Sequence, residues 1–215
     1  MIRLSNISKR YSTHGGETEI LHNVNLTIRP GRRVGVLGRN GAGKSTLIRM
    51  ISGAEQPTSG TIEREMSVSW PLAFGGAFQT SLTGLDNLRF ICRIYGVDPS
   101  DKIDFVEDFC ELGIYMREPV RTYSAGMRAR LAFAISMMVE FDCFLIDEVI
   151  AVGDARFQQK CHVELFERRA DRAMIIVSHD PNFIRAHCHE AAVLVGGRLF
   201  EFGSIDQAYD FYSAQ

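Results

Sequence analysis

One eight-residue stretch, Gly38 to Ser45, has the spacing of a phosphate-binding loop. It reads GRNGAGKS and fits the pattern G-x-x-x-x-G-K-[ST]. Glycines let the backbone curl so that successive N–H groups point inward at an anion. A lysine in this place adds a point charge for the β- and γ-phosphates, and a hydroxyl after it can bind Mg²⁺. The pattern therefore predicts a nucleoside triphosphate site, with Lys44 on the phosphates and Ser45 on the metal.

The residues on either side of the loop predict the setting that such a site needs. Residues 33–37 are an apolar run typical of a buried strand, and residues 45–51 carry apolar side chains at helical spacing. A helix that begins at the loop adds the positive end of its dipole, about half an elementary charge. A glycine-rich turn that binds nothing is the alternative, but it does not explain these flanks. We expect nucleotide contacts from Gly38, Arg39, Asn40, Gly41, Ala42, Gly43, Lys44, Ser45 and Thr46.

Two adjacent acids follow a second apolar strand. Residues 141–146 are mostly apolar, and Asp147 and Glu148 come directly after them. Asp147 at the strand tip would hold the metal through its coordination shell. Glu148 could face the γ-phosphate and orient or deprotonate water. A solvated acidic turn is the alternative for this stretch alone, and the upstream phosphate loop favours the metal interpretation.

Two further residues are candidates by position. His179 follows the apolar run 173–177 and should lie at the sheet end where ligands gather in open α/β folds. A lone histidine is more often structural. Tyr11 ends the first strand and could stack on adenine, although an aromatic residue after a strand usually serves packing.

The order of apolar segments predicts an α/β core with a mainly parallel sheet, because strands and helices alternate through much of the chain. We expect an edge strand at residues 1–10, a loop at 12–18, and a helix capped by Ser100 that ends before Gly113. A further helix should begin at Ser124 and bury one face. Residues 85–139 are all predicted helical, so they form an insertion. We divide the chain into a nucleotide-binding core with a β subdomain (1–78 and 141–215) and a helical subdomain (about 79–140).

Composition excludes several classes of protein. A chain of 215 residues favours one domain, or one domain with a subdomain. The formal net charge of −2 gives no sign of a polyanion-binding surface. No apolar run reaches the roughly 18 residues that span a bilayer, and the N-terminus does not resemble a signal peptide. Five scattered cysteines without C-x-x-C spacing indicate reduced thiols in a cytosolic protein.

The segment Trp70–Gln79 has an unusual composition for a loop, because it combines apolar side chains with glycines. Two interpretations are equally open. The segment could form a surface against which another protein packs, or it could be a buried loop that covers the core.

Taken in order, the motifs resemble the nucleotide-binding subunit of an ABC transporter, and the resemblance covers essentially the whole chain. The motifs are Tyr11, GRNGAGKS, Gln79, YSAGM at 123–127, FLIDE at 144–148 and Ser178-His179. The implied fold is α/β: a P-loop NTPase (RecA-like) core with a small antiparallel β subdomain and an inserted α-helical subdomain.

The resemblance also implies a role for each matching residue. Tyr11 stacks on adenine, and Gln79 is the Q-loop glutamine and a further Mg²⁺ ligand. Asp147 is the Walker B acid, Glu148 the catalytic base and His179 the switch histidine. The signature motif falls on Ser124, Ala125 and Gly126, which in this family meet the γ-phosphate held by a second subunit. Lys44 completes the catalytic set, and the implied cofactors are ATP and Mg²⁺.

Two departures from the common family pattern narrow the resemblance. The signature LSGGQ appears as YSAGM, and residues 149–154 read VIAVGD where S-A-L-D is commoner. Both variants, with the stretches at 69–96 and 148–161, are similar to ABC ATPases that export bacterial polysaccharides, and most of all to the capsular type. The ATPases of O-antigen exporters often add a C-terminal sugar-binding domain.

The implied function is an ATPase that drives capsular polysaccharide export. The expected partners are a second copy of the chain with ATP between the copies, two copies of a polytopic inner-membrane permease, and periplasmic-spanning export components. Nucleic acid is not expected, and the expected location is the cytoplasmic face of the bacterial inner membrane. The alternatives are a soluble ABC ATPase acting on nucleic acid or ribosomes, an exporter of O-antigen or teichoic acid, and a nucleotide-binding regulator without hydrolysis, which Glu148 disfavours.

Overall fold

The structure, a computed structural model, describes residues 1–13, 16–72, 78–147 and 153–215. The chain divides into two compact units. The first contains Met1–Pro71, Phe141–Glu148 and Asp171–Gln215, and the second contains Leu72–Glu140 and Val149–Ala170, in each case for the described residues. No helix within the described ranges is both long enough and apolar enough to cross a membrane.

The first unit is built on two sheets. The larger has the strand order β5-β6-β7-β3-β8-β9. These strands are β3 (Arg33–Leu37), β5 (Val68–Pro71), β6 (Cys143–Asp147), β7 (Ala173–Val177), β8 (Glu190–Val195) and β9 (Arg198–Phe202). All neighbours pair parallel except β8 and β9, which form an antiparallel hairpin that turns at residues 196–197. The smaller sheet is antiparallel, in the order β2-β1-β4, from β1 (Ile2–Thr13), β2 (Gly16–Ile28) and β4 (Ser59–Arg64).

Three helices complete this unit: α1 (Lys44–Ser52), α6 (Pro181–His187) and α7 (Ile205–Ser213). Helix α1 lies over the larger sheet, and its Leu47 and Ile48 are buried with side chains of both sheets in one apolar core. Gly53, in a left-handed conformation, ends α1. The α/β core with an antiparallel β subdomain is therefore confirmed.

The position predicted for the first strand is wrong. β1 is the middle strand of its sheet, paired with β2 on one side and β4 on the other. Ile2, Leu4 and Ile7 are buried as their alternation predicts, but alternation reports a buried face and not the number of neighbours. The loop predicted at 12–18 is also too long, because β1 continues to Thr13 and β2 resumes at Gly16.

The second unit is helical, as predicted. It contains α2 (Gly84–Tyr95), α3 (Ser100–Cys110), α4 (Ala125–Met138) and α5 (Ala155–His162). Two 3₁₀ turns, Gly113–Arg117 and Val120–Thr122, precede α4, and a π turn, Val163–Glu167, follows α5. The sequence-based domain boundaries stay a prediction, and α5 groups here with the other helices.

Helices α3 and α4 differ from the sequence prediction in detail. Ser100 is the first residue of α3 and not its cap, and the helix ends at Cys110. Residues 131–138 of α4 are buried on every side, where one buried face was predicted. Phe133 stacks on Phe109 of α3 with the ring centroids 5.8 Å apart, so α4 forms the centre of the helical unit.

All five cysteines are free, as the sequence predicts. Burial raises the pKa of Cys143, Cys161 and Cys188 to about 12 and that of Cys110 to about 11. Because the thiolate is the reactive form, these four side chains are inert packing groups.

Candidate functional site

The phosphate loop lies between β3 and α1, the strand and the helix that were predicted around it. Gly43 adopts φ 105°, a left-handed conformation that few other residues accept, and a Cβ there would lie 2.9 Å from Leu21 Cδ2. A Cβ on Gly38 would lie 2.8 Å from the Leu194 carbonyl oxygen. These two positions therefore require glycine for the backbone path as well as for ligand access.

Lys44 is the first residue of α1 and is 7% exposed. Its ammonium group donates to the Gly38 carbonyl at 2.7 Å and to the Arg39 carbonyl at 3.2 Å. The buried lysine therefore lies folded along the inside of the loop. A strong hydrogen-bond donor stands where an anion cradled by the loop would be bound.

A cavity of about 410 Å³ lies at this loop, within the range usual for small-molecule sites. It joins Asp147, at the tip of β6, to Lys44 and Ser45, as the sequence predicts for a metal and phosphate site. Ile20, from β2, also lines the cavity and was not predicted, since nothing in the sequence of β2 marks it. The full lining is Tyr11, Ile20, Asn40, Gly41, Gly43, Lys44, Ser45, Thr46 and Asp147.

A second cavity, of about 420 Å³, contains His179. Its other lining residues are Arg39, Asn40 and Tyr212, and Asn40 lines both cavities. The structure thus brings His179 to the phosphate loop, at the carboxyl end of β7 where it was expected. Tyr212 was missed, because the helical pattern of α7 gave no reason to place its last turn here.

Tyr11 is held at the first cavity by a network of charged side chains. Arg49 donates from Nη2 to the Tyr11 hydroxyl at 3.2 Å and to Thr46 Oγ1 at 3.3 Å. Its Nε donates to Glu55 at 3.0 Å. The Lys9 ammonium lies 2.9 Å from the other Glu55 oxygen and 5.1 Å from the centroid of the Tyr11 ring. Arg49 therefore links the aromatic end of the cavity to its phosphate-loop end.

Glu55 is the acidic centre of this network. Burial by itself would raise the pKa of Glu55, but hydrogen bonds from Tyr11, Lys9 and Arg49 outweigh it and leave the pKa at about 2. In the folded chain the pKa of Glu55 lies below its ordinary 4.5. The ionised carboxylate therefore stabilises the fold above pH 4.5, and this contribution is lost as the pH falls toward about 2.

We expect Glu55→Gln to lower the free energy of unfolding by about 1 to 2 kcal/mol near neutral pH, after allowance for screening at this partly exposed site. The gap to the unmodified chain should close as the pH approaches about 2. Denaturant unfolding at a series of pH values measures both quantities. Glu63→Gln, on the exposed face of β4, is the matched control. A gap that stays constant with pH would contradict the assigned network.

Gln79, Ser124 and Gly126 belong to the second unit. Gln79 is exposed and precedes the turn that enters α2. Ser124 is the N-cap of α4, with its hydroxyl accepting from the Met127 N–H at 3.2 Å, and Gly126 lies exposed in the first turn of that helix. Glu148 lies outside the described residues, as do residues 73–77 of the 70–79 segment.

Tyr123, which stands at the leucine position of the signature, is an anchor for this helix start. It is 3% exposed, and its hydroxyl donates to the Tyr115 carbonyl. Burial raises its pKa to about 12. The exposed Ser124 therefore follows a fixed, buried aromatic residue.

Comparison with known proteins identifies the family. Residues 21–151 match the family model described as ABC transporter. The chain belongs to the ABC transporter family. It is 58% identical to the capsule polysaccharide export ATP-binding protein CtrD of Neisseria meningitidis serogroup B, over 100% of this chain and 99% of that protein. It is 59% identical to the ATP-binding protein BexA of Haemophilus influenzae, over 99% and 98% of the two chains.

The fold of this ABC-family chain also matches solved structures. One is a dimeric post-hydrolysis state of the ATP-binding cassette MJ0796 bound to ADP and Pi, with a TM-score of 0.76. The match covers 94% of this chain and 98% of that one at 21% identity, so it establishes the fold. The resemblance drawn from the motifs and the predicted fold class are both confirmed.

Proposed function

We propose that this chain is the ATP-hydrolysing subunit of an ABC exporter that drives export of lipid-linked capsular polysaccharide across the inner membrane. The observation that carries the proposal is the 58% identity to CtrD along the full chain. The cavity that joins Lys44, Ser45 and Asp147 supports the ATPase part.

The phosphate loop binds the triphosphate in this proposal. The Lys44 ammonium now bonds two loop carbonyls, and it turns to phosphate oxygens when nucleotide binds. The loop amides and the N-terminus of α1 supply further positive potential. Thr46 and the network around Arg49 hold the loop against Tyr11, which stacks on the adenine.

A magnesium ion fits the donor set at the same place. Ser45 and Asp147 line one cavity and offer a hydroxyl and a carboxylate, and oxygen donors are what Mg²⁺ prefers. Gln79 is proposed as a further ligand. When bound, the ion neutralises charge on the β- and γ-phosphates.

Glu148 acts on the water that attacks the γ-phosphate, and His179 acts on the γ-phosphate itself. Glu148 is the general base and takes the proton from the water. His179 lines the cavity beside Asn40 and holds a γ-phosphate oxygen by a hydrogen bond. Glu148 thus serves proton transfer, and His179 positions the phosphate.

Two kinds of partner follow from this assignment. A second copy of the chain presents Ser124 and Gly126 to the bound ATP, and the exposed start of the 14-residue helix α4 suits an anion. Two copies of a polytopic permease bind the chain at the cytoplasmic face of the inner membrane, with the 70–78 segment in the coupling contact. Periplasmic-spanning components complete the export path.

The competing functions have weaker support. A soluble ATPase acting on nucleic acid or ribosomes would be expected to show a basic surface, and the formal net charge is −2. Export of O-antigen or teichoic acid would use the same ATPase chemistry, and the 58% identity to CtrD favours capsule.

The test is to replace the chromosomal copy with the Glu148→Gln variant and to isolate the tagged full chain from membranes. We expect surface capsule to be lost, and the chain to be recovered with a polytopic membrane protein. Loss of a different surface polymer would contradict the substrate assignment. Recovery with ribosomes or nucleic acid in place of a membrane protein would contradict export altogether.

A further inference from the structure

The peptide of Gln79 is held by one buried side chain, that of Asn87 in α2. Asn87 is 1% exposed. Its Oδ1 accepts from the Gln79 N–H at 2.9 Å, and its Nδ2 donates to the Gln79 carbonyl at 3.1 Å. An amide is the side chain that can both accept from and donate to a single residue in this way.

The same amide is bonded to the start of its own helix. Nδ2 donates to the Thr83 carbonyl at 2.9 Å and lies 3.5 Å from the Leu82 carbonyl. Thr83 is the N-cap of α2, where its hydroxyl accepts from the Asp86 N–H. Asn87 therefore ties Gln79 to the capped first turn of a helix.

The residues after Gln79 are held in a different way. The N–H of Arg121 bonds the Thr80 carbonyl at 2.8 Å, and the N–H of Val120 bonds the Leu82 carbonyl at 2.9 Å. These backbone bonds attach residues 80–82 to the turn just before the signature serine, and they do not involve the Asn87 side chain. The Leu82 N–H also donates to the Gln79 carbonyl at 3.1 Å. Loss of the Asn87 amide should therefore release the Gln79 N–H and weaken the hold on its carbonyl, while residues 80–82 stay in place.

We propose that Asn87 is the positioning residue for Gln79, and that it fixes the backbone from which the Gln79 side chain acts. This inference rests on the proposed function, in which Gln79 is a Mg²⁺ ligand. The helix cap, Asn87 and the peptide of Gln79 form one hydrogen-bonded frame that removes backbone freedom from the glutamine. Because Asn87 acts only through Gln79, its contribution should disappear when the Gln79 side chain is absent.

The test is a double-mutant cycle of Asn87→Ala and Gln79→Ala in the full chain reconstituted with its permease. The measured quantity is the Mg²⁺ concentration that half-saturates ATP binding, read by equilibrium dialysis in the Glu148→Gln background so that no turnover contributes. We expect Asn87→Ala to raise it about tenfold, in the direction of Gln79→Ala, and to add nothing in the Gln79→Ala background. A tenfold change corresponds to about the free energy that is lost with one buried hydrogen bond.

Two further variants separate positioning from folding. Asn87→Ser can keep a bond to the Thr83 carbonyl four residues back in the helix, but its short hydroxyl gives up the paired bonds to Gln79. It should show the same rise in Mg²⁺ requirement with a smaller loss of stability. Asn25→Ala, at an exposed position of β2, is the control and should leave the Mg²⁺ requirement unchanged.

An equal effect of Asn87→Ala in both backgrounds, or an unchanged Mg²⁺ requirement in Asn87→Ala and Asn87→Ser, would overturn this inference alone. Failure of the unmodified, reconstituted chain to hydrolyse ATP would overturn the proposed function and this inference with it.

Discussion

Replacing Glu148 with glutamine is expected to lower the ATPase rate by about 100- to 10,000-fold, the usual contribution of a general base. Glutamine has nearly the same shape as glutamate but cannot take a proton from water. Asp147, the neighbouring acid, stays in place at the tip of β6 to serve the metal. Binding of Mg²⁺-ATP should therefore be retained while turnover stops.

Single-turnover hydrolysis and equilibrium nucleotide binding, measured on the same preparation, check this expectation. Glu118→Gln, an exposed glutamate of the helical unit, is the matched control and should behave as the unmodified chain does. Hydrolysis by Glu148→Gln at the normal rate would show that another group is the base.

Replacing Lys44 with alanine is expected to have the second large effect. This change should weaken ATP binding and not only slow turnover. Lys44 is 7% exposed, and its ammonium already donates to two loop carbonyls. The charged group is therefore desolvated and directed into the loop. Removing one partner of such a charged contact costs about 2 to 5 kcal/mol. This corresponds to a loss of roughly 30- to 5,000-fold in ATP affinity.

Titration calorimetry with Mg²⁺-ATP measures this loss, and circular dichroism confirms that the variant is folded. Lys102→Ala, in α3, removes the same charge from the helical unit and should leave the affinity unchanged. An affinity of Lys44→Ala within threefold of the unmodified chain would contradict the role of Lys44.

The sequence was most informative where chemistry restricts the residue type. Glycines, a lysine and a hydroxyl residue between a strand and a helix left one interpretation for residues 38–45, and the structure puts Lys44, Ser45 and Asp147 in one cavity. The position of His179 near the same loop was also predictable, because the carboxyl ends of the parallel strands β3 and β7 lie at one edge of the sheet.

Contacts between distant segments were not predictable from pattern alone. Alternation in β1 showed a buried face but could not report a neighbour on each side. Arg49 and Glu55 look like ordinary solvated charges until the fold brings Lys9 and Tyr11 beside them. Asn87 looks like any polar residue near a helix start, and its two bonds to Gln79 form only in the folded chain.

The central claim is that the loop around Lys44 binds a magnesium-bound triphosphate. Equilibrium dialysis of the Glu148→Gln variant against Mg²⁺-ATP, in the presence of its membrane partner, tests this claim directly. We predict saturable binding of one nucleotide for each chain. Binding at the same nucleotide concentrations should be abolished when Lys44→Ala is introduced into the same variant. No saturable binding by the folded, partnered protein would contradict the account.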